Sequence, residues 1–270
     1  MNKIMASITL FFIACLMLPA QAEKVLIVAD EWEQMEILEQ FLEEQGRFEV
    51  EKTEQNDMPA DLSSYAAVIE FVHRLLNDEP AQQMITYTRN GGRTIVMHHG
   101  VSAAKKKTKG WYDFLGMELD RTEKAENYYE WVHGVDYYLV NLQPEHYITS
   151  HKVNYPEQVE YRSSDTPSVP KTLPALLIEN SEIFINHQFT DAREKIVLFG
   201  FKSKEIPESE TENKRIPQTD SPIMQDRGGW YKPAGKGYVF YLQPGHAATD
   251  MDTNYCQIIM NCITWKPEKP

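Results

Sequence analysis

The hydrophobic positions along this chain recur with two different periods, and the order in which those periods alternate predicts the architecture. Lys24-Val25-Leu26-Ile27-Val28-Ala29 is apolar without alternation. A run with no polar face is what a strand buried on both sides requires. It stops at Asp30. Over residues 31–45 the apolar side chains of Met35, Leu38, Phe41 and Leu42 recur at helical spacing, with Glu31 and Glu33 in the first turn, where the helix dipole favours anions, and Gly46 as the stop. Strands are predicted at 48–54 and 66–72, a second helix at 80–90 closed by Gly91-Gly92, and a fourth strand at Arg93–Met97. Strand, helix, strand, strand, helix, strand at short intervals predicts a parallel sheet covered on both faces.

The pattern loosens after residue 110. Residues 111–117 read as a short helix, 127–142 alternate aromatic and polar residues as a half-exposed strand or hairpin does, and the Ser-, Thr- and Pro-rich 163–174 reads as a loop. Further strands are predicted at 175–185 and 195–201, and an exposed polar excursion at 202–222. A strand pair, 224–231 and Gly237–Leu242, flanks Lys232-Pro233-Ala234-Gly235-Lys236. An amphipathic helix over 252–265, carrying Ile258, Ile259, Ile263 and Trp265, closes the chain. With no Gly/Ser linker and no repeat, this predicts one α/β domain over 23–268 with an irregular β-rich insertion.

The first 22 residues bear on where the chain works. Lys3, the mostly apolar stretch 4–18 and Ala20-Gln21-Ala22 follow the order of a signal peptide. The apolar centre is about fifteen residues, short of the roughly 20 that a spanning helix needs. Cleavage before Glu23, export to the periplasm or beyond, and no membrane span afterwards are expected. A lipoprotein at Cys15 is disfavoured by Phe12 three residues earlier and by the apolar run that follows.

Composition and charge narrow the partners. At 42% apolar and 25% charged residues the chain can bury a core. A net charge of -13 leaves no basic stripe for a phosphate backbone, which excludes a nucleic-acid partner. The basic run Lys105-Lys106-Lys107 with Lys109 is expected to be a solvated loop. Cys256 and Cys262 lie on the predicted last helix, separated by about 9 Å of rise, beyond disulfide reach. Both are expected to be buried free thiols. Homo-oligomerisation stays open.

In an open parallel sheet, ligands bind beyond the carboxyl ends of the strands. Asp30, Glu31 and Trp32 follow the first predicted strand, His73 the third, His98 and His99 the fourth, and Gly245-His246 the last. Met97-His98-His99-Gly100 has the form of a strained elbow that lifts one side chain into a cleft. Hydrolases and amidotransferases place Ser or Cys there. An imidazole serves instead as acid, base or metal ligand near neutral pH, so acyl transfer at this turn is not expected. Neighbours on a strand point to opposite faces, so only one of the two imidazoles is expected in a site unless the turn intervenes. Trp32, Trp111, Tyr112 and Trp230 lie in or beside predicted loops, where a sugar's apolar face can stack. Tyr128, Tyr129 and Trp131 are expected to line the half-exposed strand.

Gly91-Gly92 with its apolar strand and His98, then Gly235-Lys236-Gly237 with its strand, Gly245-His246 and the ending Asn261-Cys262-Ile263-Thr264-Trp265, together resemble the ThuA-like (trehalose utilisation) family over nearly all of the chain beyond residue 22. The resemblance implies the flavodoxin-like fold of the class I glutamine amidotransferase-like superfamily, a mostly parallel sheet flanked by helices, without its catalytic cysteine and so without its activity. It implies a role in carbohydrate catabolism where 3-keto sugars arise. Glu179-Asn180-Ser181-Glu182 corresponds to an acidic family segment near the site. Two departures stand out: His99 occupies a place the family gives to a small residue, and the long polar stretch 205–218 has no obvious role in the family.

On this basis His98, His246 and Glu182 are the candidate catalytic set. They are also the candidate ligands of a divalent metal, Zn²⁺ first, and no nucleotide cofactor is expected. Asp30, Glu31, Trp32, His73, His99, Trp111 and Tyr112 are the candidates for binding a small carbohydrate. A metal that polarises a keto group or acidifies a hydroxyl fits a sugar isomerase, epimerase, lyase or hydrolase. No His-x-His or His-Glu-x-x-His spacing decides between that and a metal-free pocket, and a non-catalytic carbohydrate-binding protein stays the alternative.

Overall fold

A computed structural model describes residues 22–119, 128–163, 165, 169–191, 195–205 and 222–267. The expected signal segment, apart from Ala22, and most of the expected polar excursion lie outside the described residues. The first half follows the predicted order: β1 (Glu23–Ala29), α1 (Glu33–Glu44), β2 (Phe48–Thr53), β3 (Tyr65–Phe71), α2 (Asp78–Arg89) and β4 (Arg93–Met97). After these come α3 (Trp111–Leu115), β5 (Met117–Glu118), β6 (Glu130–Asn141), α4 (Tyr147–Ser150), β7 (Glu157–Tyr161) and β8 (Lys171–Ile185). The chain continues with β9 (Gln188–Phe189), β10 (Ile196–Ser203), β11 (Met224–Ala234), β12 (Gly237–Leu242) and α5 (Thr253–Thr264).

Ten strands form one sheet in the order β2-β1-β3-β4-β12-β11-β10-β6-β8-β7, while β5 and β9 pair apart from it. From β2 to β12 the pairings are parallel. From β12 to β7 they are antiparallel. The fold is α/β with a large mixed sheet that is parallel at one end only. This corrects the expectation of a mostly parallel sheet with an insertion, because the β-rich stretch extends the same sheet. A tight turn joins only antiparallel neighbours, whereas a parallel crossover needs a dozen residues or more. The turn between Ala234 and Gly237 therefore sets β11 antiparallel to β12, which itself lies parallel to β4.

Alternation along β1 divides the core. Val25, Ile27 and Ala29 face α1 and α5 through Met35, Leu38, Ile258 and Ile259. Leu26 and Val28 face α2 and α3 through Met84, Ile85, Trp111 and Phe114. Cys256 and Cys262 are buried and free, as expected. Residues 171–174, expected in a loop, begin β8 and pair with β7. Lys202 and Ser203, expected in the excursion, end β10.

The basic run is also corrected. Lys105 is fully buried, while Lys106, Lys107 and Lys109 are exposed. The Lys105 ammonium donates to the carbonyls of Val72, His73 and Arg74, the last at 2.6 Å. Those oxygens satisfy a buried charge that would otherwise be prohibitively costly. Among the described residues no helix is long and apolar enough to cross a membrane.

Candidate functional site

β4 ends at Met97 and passes directly into a 3₁₀ turn, His98–Val101, in which His98 takes a left-handed φ of +40°. At Gly100 a Cβ would lie 2.0 Å from Val96 Cγ1 and 2.8 Å from Glu70 Oε2, so the turn closes only around glycine. The turn overrides strand alternation. His98 and His99 converge, with ring centroids 4.3 Å apart. His98 is fully buried, and its Nδ1 lies 2.7 Å from the Gln243 carbonyl oxygen. A carbonyl only accepts, so Nδ1 carries the proton and Nε2 presents a lone pair. That Nε2 is buried without a hydrogen-bond partner, 3.5 Å from Glu182 Oε1.

Glu182, on β8, is the hub. His133 Nδ1 on β6 lies 2.7 Å from its Oε2, His99 Nε2 lies 3.9 Å from Oε1, and His246 Nδ1 lies 3.9 Å from Oε2. His98, His99, Glu182 and His246 each offer a ligand atom, and these atoms all lie within 4.8 Å of one another. Burial holds the His99 imidazolium far below its ordinary range, with repulsion from His98 and His73 adding to it. Burial and then His98 lower His246 as well, against the pull of Glu182. Both rings are therefore neutral near pH 7, with lone pairs free for an ion or a proton.

Two carboxylates hold the frame. Asp250 Oδ2 accepts from the backbone N–H of Gly245 at 2.9 Å, from that of His246 at 2.8 Å and from the Ser181 hydroxyl at 2.7 Å. One buried group thus ties the loop after β12 to β8. Gly245 has φ +136°, and a Cβ there would come within 3.3 Å of His98 Cβ. On the other side, Asp30 accepts the N–H of His73 at 2.6 Å and of Arg74 at 3.2 Å. His73 Nδ1 lies 2.5 Å from Glu31, and its ring stacks on His99 at 4.0 Å.

These groups open onto a cavity of about 380 Å³ lined by His73, Arg74, His99, Ser102, Ala103, Ala104, Tyr129, Trp131, His133, Glu182, Phe184 and His246. Of the candidates read from the sequence, His98, His246 and Glu182 come together, and His73 and His99 join them. Asp30 and Glu31 stand behind, holding the loop that carries His73.

The aromatic residues expected to stack on a sugar do not line the cavity. Trp111 and Trp230 are buried in the core, and the Trp111 indole donates to the Gly100 carbonyl at 2.9 Å. Tyr112 donates to the Ser102 carbonyl at 2.8 Å, and Trp32 opens α1 against the core. Tyr129, Trp131 and Phe184 take that place, because the strands that carry them bend. Between Val132 and Val135 the β6–β8 register shifts, and Gly134 and Asn180 both take positive φ. Such a bulge bends a strand pair. Here it brings Trp131, His133, Glu182 and Phe184 over the ends of the parallel strands. His133 escaped the sequence reading because β6 is antiparallel. Its faint signal was a position two residues from Trp131, on the same strand face, just before a glycine.

Residues 23–266 match the family described as ThuA, trehalose utilisation. The chain belongs to that family. Among solved structures it is similar to a ThuA-like protein from Bacteroides uniformis, at 16% identity and a TM-score of 0.55, covering 90% of this chain and 91% of that one. It is also similar to a cytoplasmic protein from Salmonella typhimurium, at 14% identity and a TM-score of 0.54, covering 89% of this chain and 98% of that one. A carbohydrate deacetylase matches 90% of this chain at 10% identity and a TM-score of 0.51, over 32% of its own length. At such identities the likeness is one of fold. No curated protein matches.

In this ThuA-family chain the donor set is three imidazoles and a carboxylate, which suits Zn²⁺ or another divalent transition ion. The residues fit such an ion. The Nε2 of His98 and the Nδ1 of His246 are buried without partners. The other nitrogen of His98 is tied to a backbone carbonyl, the second contact that orients a ligating imidazole.

Proposed function

We propose that this protein is an exported enzyme of carbohydrate catabolism, acting on a sugar or an oxidised (3-keto) sugar at a His–Glu site that holds a divalent transition ion, Zn²⁺ in the first instance. The observation that carries this reading is the buried His98 ring, fixed through Nδ1, with its Nε2 lone pair unpartnered beside Glu182. A buried polar atom left unpaired costs about 1–3 kcal/mol, and an ion would remove that cost at His98 and His246 together. Family membership supports carbohydrate metabolism, and the pattern of residues 1–22 supports export. The strand order β2-β1-β3-β4-β12 supports a flavodoxin-like reading of the parallel end.

A bound ion supplies Lewis acidity, polarising a keto oxygen or acidifying a hydroxyl. The chain's own groups do the rest. His98, His246 and Glu182 hold the ion, and His99 stands ready as a fourth ligand. His133 is half exposed to the cavity and oriented by Glu182, so it can take a proton from a sugar carbon or hydroxyl and return it. Tyr129, Trp131 and Phe184 offer apolar walls to a ring face. These parts suit isomerisation, epimerisation or eliminative cleavage. One observation favours the second reading, a metal-free carbohydrate-binding protein: His133 at 2.7 Å satisfies Glu182 without an ion.

The test is elemental analysis of protein purified without chelator, coupled to a screen of 3-keto glycosides. Stoichiometric metal and turnover are expected. His98→Ala is expected to lose both while keeping its circular dichroism spectrum. Turnover by His98→Ala at the wild-type rate removes His98 from the mechanism. Saturable sugar binding with neither metal nor turnover establishes the second reading.

A further inference from the structure

The loop that leaves β3 at the cavity rim is held more tightly than a surface loop requires. Asp30 accepts the N–H of both His73 and Arg74, and the buried Lys105 ammonium donates to the Arg74 carbonyl at 2.6 Å. Residue 74 is thus fixed through both of its backbone polar groups. The His73 ring is fixed too, by Glu31 and by its stack on His99. The Arg74 side chain is the exception. It is exposed, it lines the cavity, and among the described residues its guanidinium makes no hydrogen bond or ion pair. The carboxylates around it are already engaged, Asp30 by backbone N–H groups, Glu31 by His73 and Glu182 by His133.

A guanidinium on an immobilised backbone is a planar fork that meets a carboxylate or phosphate with two hydrogen bonds. Part of the ordering cost of binding is already met by the fixed loop. The neighbouring wall points the same way: Ser102, Ala103 and Ala104 line the cavity, and their turn runs on into exposed Lys106 and Lys107. The net charge of -13 opposes an approaching anion at long range. Screening over about 8 Å at physiological ionic strength leaves the Arg74 guanidinium in control at contact distance within the cavity.

We infer that the cavity takes an anionic sugar, either a sugar acid or a sugar phosphate, and that Arg74 binds its oxyanion as a specificity-determining contact. This rests on the sugar site proposed above and names its substrate class.

The experiment is titration calorimetry of wild-type protein, Arg74→Gln and Arg74→Lys, at matched metal content, with D-glucuronate, D-gluconate, D-glucose 6-phosphate and neutral D-glucose as probes. At least one anionic probe is expected to bind roughly tenfold or more tightly than glucose, as a charge-assisted pair should. The acid and phosphate arms identify which oxyanion is meant. Arg74→Gln is expected to lose that advantage, its ratio of anionic-probe to glucose affinity falling to about one, and Arg74→Lys to keep part of it. Equal affinity for charged and neutral probes, or a preference that survives in Arg74→Gln, overturns the inference and leaves the sugar site standing. Failure of every probe, glucose included, overturns both.

Discussion

A left-handed backbone costs a residue with a Cβ about 1–3 kcal/mol, and His98 adopts one at φ +40°. Its surroundings hold it there, since the Tyr241 hydroxyl donates to the His98 carbonyl at 3.1 Å and Gln243 anchors the ring. The conformation carries the imidazole out of strand alternation and onto Glu182. Asp250 makes the matching investment on the other side of the site. Asp250→Ala would strip the acceptor from the N–H groups of Gly245 and His246 and from the Ser181 hydroxyl. Unsatisfied buried donors cost about 1–3 kcal/mol each, so a loss of about 2–5 kcal/mol is expected in urea unfolding. A loss below about 0.5 kcal/mol, the size of a neutral surface change, would mean that Asp250 holds nothing in place. At this scale His98 and His246 were legible from the sequence because His98 follows an apolar strand directly and His246 lies just beyond the carboxyl end of another, after Gly245. His133 was not, because a histidine within a strand carries no mark of which distant carboxylate it will meet.

Between elements, the 3₁₀ turn Ala103–Lys107 is tied through Lys105 to the carbonyls of the loop that follows β3. Glu70 lies in β3 with no exposure, and burial pushes its carboxyl up to about 7 against the Lys105 ammonium and a Val72 backbone hydrogen bond, which pull it down. Burial lowers the Lys105 ammonium in turn. A carboxyl raised above its ordinary 4.5 binds a proton more tightly in the folded chain than in the unfolded one. Its contribution to stability is complete below pH 4.5 and is lost as pH rises through 7. Glu70→Gln does not ionise. Relative to wild type it is expected to gain on the order of 3 kcal/mol in unfolding free energy between those limits, measured by urea titration at several pH values. Parallel curves for the two proteins would refute the shift. The burial of Lys105 was illegible in the sequence for a plain reason. Its oxygen partners lie more than thirty residues earlier, and a run of lysines reads locally as solvated surface.

In the molecule as a whole, the site forms where two kinds of sheet meet. The parallel end supplies His73, His98, His99 and His246 from loops, and the antiparallel end supplies His133 and Glu182 from within strands. An ion that bridges the two ends should stabilise the entire fold. A ligand present at 100 times its Kd adds about 2.7 kcal/mol, which for a chain of this size raises Tm by roughly 5–10 °C. Scanning calorimetry of chelator-stripped protein with and without Zn²⁺ is expected to read that rise, and a His98→Ala/His246→Ala double variant to abolish it. An unchanged wild-type Tm under saturating Zn²⁺ would count against a metal at this site.

The amino-acid order alone determined β1 to β4, β12, α1, α2 and α5, each within two residues of its observed ends. Those elements follow from the spacing of apolar side chains and from glycine stops, and both act over a few residues. Tertiary structure alone decided that β6, β7, β8, β10 and β11 would extend the sheet antiparallel, that Trp111 would pack inside while Trp131 faced the cavity, and that Glu182 would meet four imidazoles. Each of these outcomes depends on which chain-distant strand lies alongside and where a bulge bends it. Periodicity records which face of an element is buried, and it holds no information about the neighbour that buries it.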